Sequence, residues 1–119
     1  MIRLFEKKQI GIDIVDIERF RKKNFIENES FYKKIFTDLE IQYCRKFSDP
    51  YPHFAGKFAL KEAVQKAIQE NTVFRKIETF HSNSRPKIII KNQEKKYEFI
   101  TSISHEKKYA IAIAISNKN

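Results

Sequence analysis

The chain has 119 residues, 41% of them hydrophobic and eleven of them Phe, with 24 Lys and Arg set against 15 Asp and Glu for a net charge of +9. That length and apolar content exclude a disordered chain and give a single domain over residues 1–119 with a modest core. The charge asks for an anionic partner, whether nucleic acid, an acidic protein or a polyphosphate, and the lone Cys44 excludes an internal disulfide or a cysteine-built metal site.

Met1 to Gln9 carries Arg3, Glu6, Lys7 and Lys8 without an apolar stretch, so no secretory signal is expected. The longest apolar run, Tyr109 to Ile115, falls far short of the ~20 residues of a membrane-spanning helix, which leaves the expectation of a cytoplasmic protein with no membrane partner. Ile10, Ile12 and Ile14 alternate with Gly11, Asp13 and Val15, the period of a half-buried strand, and this turns Asp13 away from the isoleucine face. An aspartate is disfavoured there and needs either a partner or a turn-making role at the strand's end. Asp16 suits the N-cap of a helix through Ile17 and Phe20, with Val15 and Phe20 as a hydrophobic staple, and Arg19, Arg21, Lys22 and Lys23 make that helix basic. Asn24 to Ser30 reads as a loop. Thr37-Asp38-Leu39-Glu40 is a capping box with Phe36 and Ile41 as its staple, and Leu39, Tyr43 and Phe47 carry the helix onward, with Cys44 as a packing residue. Asp49, Pro50 and Pro52 stop it and launch the next.

From Phe54 to Glu70 the apolar residues Ala55, Ala59, Leu60, Ala63, Val64, Ala67 and Ile68 recur at three- and four-residue steps, which predicts a long amphipathic helix. Glu62 and Lys66 meet on one side of it, and Phe58, Ala55 and Ala59 bring apolar surface up beside the Glu62 carboxylate. Gly56 permits a close approach to the backbone, and Lys57, Lys61 and Lys66 project from the same segment. The set suits a metal-bound polyphosphate; a surface helix with an i,i+4 salt bridge is the plainer alternative. After Asn71 the period changes to that of strands. Ile77 and Thr79 alternate with charged residues, Ser82 to Pro86 forms a turn, Lys87 to Lys91 holds three isoleucines, and Asn92 to Lys96 turns again. Ser102 to His105 ends another strand, Glu106 to Lys108 turns, and Ile111, Ile113 and Ile115 then alternate with Ala110, Ala112 and Ala114. That last strand has a bulky face and a small one, and the small one would let a helix or a neighbouring chain pack close. His105 reads as a general base, a phosphate contact or a polar hairpin-end residue. Strand, short helices, long helix and a run of strands make an α+β domain, an antiparallel sheet packed with a long central helix.

Three segments carry a resemblance: G-I-D-I-V-D-I-E-R from Gly11, F-A-G-K-F-A-L-K-E-A-V-Q-K-A from Phe54, and S-I-S-H from Ser102. In order and spacing they resemble the small holo-[acyl-carrier-protein] synthases of the 4'-phosphopantetheinyl transferase superfamily. The resemblance implies that fold, and transfer of the phosphopantetheine arm of coenzyme A to a serine of apo-acyl carrier protein, with release of adenosine 3',5'-bisphosphate. It implies that Asp13 and Glu62 bind a magnesium ion, for which manganese could substitute, and that Glu62, Lys66 and His105 form the catalytic set. Gly56, Lys57, Lys61, Lys66, the turn Ser84-Arg85-Pro86 and His105 would surround coenzyme A, while Arg19, Arg21 and Lys22 would dock the acidic carrier protein. It further implies a role in fatty acid biosynthesis, and a homotrimer with active sites at subunit boundaries, for which the Ala110/Ala112/Ala114 face suits close packing near the symmetry axis. Two family glycines are replaced, one after the long helix, where Ile68, Gln69 and Glu70 stand, and one at Ser84. The rival reading is a basic α+β module that grips RNA or single-stranded DNA with lysines and exposed aromatics. It does not explain why both glycines fall beside the acidic pair, and the strands lack an aromatic pair spaced for base stacking, so no nucleic-acid partner is expected.

Overall fold

A computed structural model describes residues 5–119. The elements are β1 (Lys8–Asp16), α1 (Glu18–Arg21), α2 (Glu29–Ile35), α3 (Asp38–Arg45), α4 (Tyr51–Ile68), a 3₁₀ turn (Phe74–Lys76), β2 (Ile77–Ser82), β3 (Arg85–Ile90), β4 (Tyr97–His105) and β5 (Tyr109–Lys118). All pairings are antiparallel, as expected, but the strands divide into two sheets: β1-β5-β4 and the hairpin β2-β3. Thr101 Oγ1 donates to the carbonyl of Pro86 at 2.7 Å and ties the hairpin to β4. No helix among the described residues is long and apolar enough to cross a membrane.

Helix α4 lies on one face of the three-stranded sheet. That face presents Gly11, Asp13 and Val15 from β1 and, in register with them, Ala114, Ala112 and Ala110 from β5. Small side chains let the helix come close, and the contact at Gly11 is the tightest. A Cβ there would sit 1.9 Å from the carbonyl oxygen of Ala63, well inside any real contact. Of the two occupants the sequence allowed for the alanine face, a helix or a neighbouring chain, it is this chain's own helix that fills it, so close packing of copies through these alanines, expected from the resemblance, does not occur here. The isoleucines take the other face, where Ile10, Ile12, Ile14 and Ile100 are 58–70% exposed and pair across the sheet with Ile111, Ile113 and Ile115.

The other side of α4 buries the phenylalanines. Phe20, Phe25, Tyr32, Phe36, Phe54 and Phe58 form one cluster with ring centroids 4.7–6.2 Å apart in tilted, edge-on and stacked pairs. The buried Tyr32 hydroxyl donates to the carbonyls of Lys23 and Phe20, at 2.6 and 3.0 Å, and so pins the loop after α1.

The local signals fall mostly where expected. Thr37 and Glu40 form the capping box of α3. The Asp16 carboxylate accepts the Glu18 N–H at 3.0 Å, but α1 is only four residues long. Helix α4 begins at Tyr51, three residues before the periodic segment, because Pro52 lies in the first turn, where its missing N–H has no intrahelical partner to lose. Its last carbonyls are closed by Gln69 in the left-handed conformation at φ 56°. Asn83 and Ser84, at φ 52° and 64°, make the two-residue turn of the β2-β3 hairpin. Gln69 and Ser84 thus hold the geometry that glycine adopts without strain, in the two stretches where the resemblance leads to an expectation of glycine.

Candidate active site

Asp13 comes from the inner face of β1, and Glu62 and Lys66 from successive turns of α4. Lys66 Nζ reaches Asp13 Oδ1 at 3.1 Å and the carbonyl of Ile12 at 2.9 Å, while its side chain stays 55% exposed. Asp13 is only 12% exposed, and its Oδ2 is buried without a hydrogen-bond partner. The Glu62 carboxyl faces Asp13 closely enough to feel its charge. Burial raises its pKa above the ordinary glutamate value, and the neighbouring Asp13 raises it further, against the opposing charges of Lys66 and Arg19. Two carboxylates this close repel unless a proton or a cation lies between them, and the orphaned Oδ2 is where a cation would gain an oxygen ligand.

Among the described residues no third His, Cys, Asp or Glu joins them to make a metal cluster. The pair offers two hard oxygen donors, so a cation held there would have to draw the rest of its shell from outside these side chains. That donor set fits magnesium, which keeps several waters and commonly takes one or two carboxylates plus substrate phosphates.

Two of the lysines assigned to coenzyme A have turned inward. Lys61 is 0% exposed and spends its three N–H groups on Glu40 Oε1 at 2.6 Å and on the carbonyls of Ile35 and Phe74 at 2.9 Å each. Burial lowers its pKa against the pull of Glu40. With no donor to spare and no exposure, it is a structural cation and not a ligand contact. Glu40 also accepts the Thr37 N–H and both the N–H and Oγ1–H of Thr79, so a carboxylate legible only as a helix cap also anchors a buried network. Lys57 is 3% exposed and donates to Thr79 Oγ1 at 2.9 Å and to the Thr79 carbonyl at 3.2 Å, with the Tyr43 ring 4.7 Å away. Unlike Lys61, it still borders a cavity.

That cavity is a cleft of about 200 Å³ lined by Tyr43, Pro52, His53, Gly56, Lys57, His81, Ser84, Pro86, Ile103 and His105. Five residues assigned to coenzyme A from the sequence (Gly56, Lys57, Ser84, Pro86 and His105) meet here, from α4, the hairpin and the end of β4. Arg85 stands exposed at the start of β3 and does not line the cleft. What approaches Gly56 closely is Ile103 of β4, whose Cγ2 would be 3.1 Å from an added Cβ. His53 and His81 were not singled out in the sequence. They belong to no motif and become neighbours of His105 only when α4, β2 and β4 converge. Glu62 and Lys66 border a separate open groove with Gln65, Gln69, Glu70 and Asn71, and the two cavities share no lining residue.

Of the residues assigned to carrier docking, Arg21 is held by Asp49 at 2.6 Å and by Glu18 at 3.5 Å. The Arg19 guanidinium lies 5.2 Å from the centre of the Phe58 ring, and its charge reaches Glu62. Lys22 is exposed at the C-cap of α1.

The profile of the 4'-phosphopantetheinyl transferase superfamily matches residues 9–114. The holo-[acyl-carrier-protein] synthase of Thermodesulfovibrio yellowstonii is 40% identical over 109 residues, which cover 89% of this chain and 95% of that one. The synthase of Chlamydia caviae is 36% identical over 115 residues, covering 90% and 94%. Among solved structures, the Helicobacter pylori synthase in complex with coenzyme A superposes with a TM-score of 0.80 at 32% identity over 91% of this chain and 99% of that one. The Bacillus anthracis synthase, also in complex with coenzyme A, gives a TM-score of 0.80 at 27% identity over 93% and 96%.

Proposed function

The chain belongs to the 4'-phosphopantetheinyl transferase superfamily, and on that footing we propose that it is a magnesium-dependent holo-[acyl-carrier-protein] synthase acting in fatty acid biosynthesis. In this reaction the serine oxygen of the carrier protein forms a bond to the phosphorus that bears the pantetheine arm. The pyrophosphate P–O bond breaks, and adenosine 3',5'-bisphosphate leaves with the electron pair. The observation that carries the reading is the Asp13–Glu62 pair with its orphaned Oδ2 and Lys66 alongside. A magnesium ion held by the two carboxylates would neutralise charge on the pyrophosphate, which is most of what phosphoryl transfer asks of a protein.

The chain's own groups do the rest. Lys66 is exposed enough to leave Asp13 for a phosphate oxygen. Glu62, whose pKa is raised by burial and by Asp13, is the carboxyl of the pair whose ionised form gains most from a neighbouring cation. The cleft at Gly56, Lys57, Ser84, Pro86 and His105 takes the adenosine end of coenzyme A, with His105 beside it as a catalytic candidate. Because that cleft and the carboxylate groove are separate in one chain, we place the complete site between copies of a homotrimer, the isoleucine face providing the contact.

The exposed basic segment at α1 receives the acidic carrier protein. Arg21 is occupied by Asp49 and Arg19 touches the surroundings of Glu62, so Lys22 is the cleanest probe. Lys22→Glu is expected to raise the KM for carrier protein several-fold and leave that for coenzyme A nearly unchanged, as rim charges act mainly on encounter. Equal damage to both constants would remove this segment from the docking surface. The activity itself is tested by incubating the protein with apo-carrier protein, coenzyme A and magnesium and weighing the carrier. Gain of the phosphopantetheine mass is expected, dependent on the metal; an unchanged carrier mass under these conditions overturns the reading.

A further inference from the structure

All three histidines of the chain line the one cleft, although they come from α4, β2 and β4. Phe47 stacks on His53 with centroids 3.6 Å apart, and Tyr43 stacks on His81 at 5.0 Å, so both ring planes are fixed by α3 and the turn after it. The His105 ring stands edge-on to His53 at 5.6 Å. An aromatic face covers one flat side of His53 and one of His81; His53 is half-buried, while His81 and His105 are exposed.

The charges around them are unequal. Lys57 lines the cleft and no carboxylate does. Asp49 acts on His53 from the loop before α4, and Cys44 and Glu40 of α3, then Glu78 of β2, act on Lys57, but none of them borders the space. Arg85, on the hairpin beside Ser84, and Glu106, beside His105, are the remaining charged groups flanking the opening in the chain. A cleft walled by imidazoles with one buried ammonium is matched to an anion that brings its own negative charge.

We propose that His53 and His81, with His105, form a proton-coupled seat for a phosphate monoester, so that each ligand bound draws protons onto the imidazoles. The proposal rests on the reading that coenzyme A occupies this cleft and assigns its 3'-phosphate to the histidine side. In the empty cleft His53 and His81 are held below the ordinary histidine range, by burial first, then by neighbouring histidines and Lys57 for His53 and by Lys57 for His81. Both shifts favour the neutral rings in the empty cleft, and a phosphate dianion placed among them favours the charged form. An empty cleft of imidazolium ions beside Lys57 would repel itself, whereas neutral rings that charge on binding avoid that.

The test is calorimetric titration of the intact protein with adenosine 3',5'-bisphosphate, in pairs of buffers of different ionisation heat, from about pH 8 to about pH 6, the interval in which an ordinary imidazole changes charge. Wild type is expected to take up roughly one proton per ligand and to gain about tenfold in affinity per pH unit, the slope that one linked proton dictates. The ligand's phosphates titrate in the same range, near ~6, so the comparison is with the His53→Asn/His81→Asn variant, in which that contribution is unchanged. The variant is expected to lose the excess uptake and flatten in slope, with little loss of affinity at the alkaline end. Histidine ring signals of the wild-type protein, followed by NMR with and without ligand, read the same event without any substitution. Binding without excess proton uptake, or uptake equal in the variant, overturns the proposal and leaves coenzyme A binding standing. No binding at any pH overturns both.

Discussion

At the scale of the residue, Glu62 and Lys61 are neighbours in sequence with opposite duties. The folded-state pKa of Glu62 is raised. The metal-free chain therefore carries its full contribution from this group below the unfolded carboxylate value, near ~4.3, and loses it as pH rises through the folded value. Glu62→Gln is expected to remove that pH-dependent loss and raise the metal-free Tm at neutral pH, because the clash with Asp13 is relieved. Magnesium with coenzyme A should raise the Tm of wild type and not that of Glu62→Gln or Asp13→Asn, and transfer activity should fall by several orders of magnitude in both. If either variant gains the same metal-dependent Tm and turns over like wild type, the acidic pair is not a metal site. Lys61 behaves differently. Lys61→Met strands the buried Glu40 carboxylate, and breaking a buried pair from one side costs about 3–5 kcal/mol. Denaturant unfolding should show that loss. Lys66→Ala should leave stability nearly unchanged and remove activity, so an unaltered midpoint for Lys61→Met would contradict the structural role.

At the scale of the element, the backbone records substitutions of glycine. Gln69 closes α4 and Ser84 turns the β2-β3 hairpin, both in the left-handed region. For a residue with a Cβ that conformation costs roughly 1–2 kcal/mol, partly offset by the greater freedom of an unfolded glycine. Gln69→Gly and Ser84→Gly are each expected to stabilise the fold by about 0.5–1 kcal/mol, read as a higher denaturant midpoint; a lower midpoint would mean that these side chains make contacts worth more than the strain. Much of the element order was legible. Period-two and period-3.6 patterns marked β1, α4 and β5, and the Thr37–Glu40 capping box was visible because its partners lie three residues apart. What failed to read was anything set by long-range contact. The alternating Ile10/Ile12/Ile14 pattern gives two faces but not which of them α4 covers, and that choice depends on Gly11 and the β5 alanines together. Lys57 and Lys61 look like surface cations until Thr79 and Glu40 arrive from other elements. The Asp13–Glu62 pair was legible through its motifs, whereas His53 and His81 carried no signal at all.

At the scale of the whole molecule, the unbalanced feature is the outer face of the β1-β5-β4 sheet. Ile10, Ile12, Ile14, Ile100 and Ile111 are exposed, with Ile113 and Ile115 half-buried between them, so β1 and β5 present a continuous aliphatic surface that β4 extends with Ile100 and edges with Ser102 and Ser104. Isolated exposed isoleucines are ordinary, but a contiguous patch of this kind marks an interaction surface or invites aggregation. The face is self-complementary in chemistry, and it is the contact on which the proposed homotrimer depends. Ile12 is the best probe, being 59% exposed, central on β1 and directly opposite Ile113. Because the side chain touches little of its own chain's core, Ile12→Glu should keep the circular dichroism of the wild type. Across an interface it would bury a charge among apolar side chains. Sedimentation is therefore expected to show a trimer for wild type at micromolar concentration and a folded monomer for Ile12→Glu, with transfer activity lost in the monomer even though Asp13, Glu62 and Lys66 are intact. A wild-type protein that sediments as a monomer with full activity would show that one chain completes the site alone and that the isoleucine face serves another purpose.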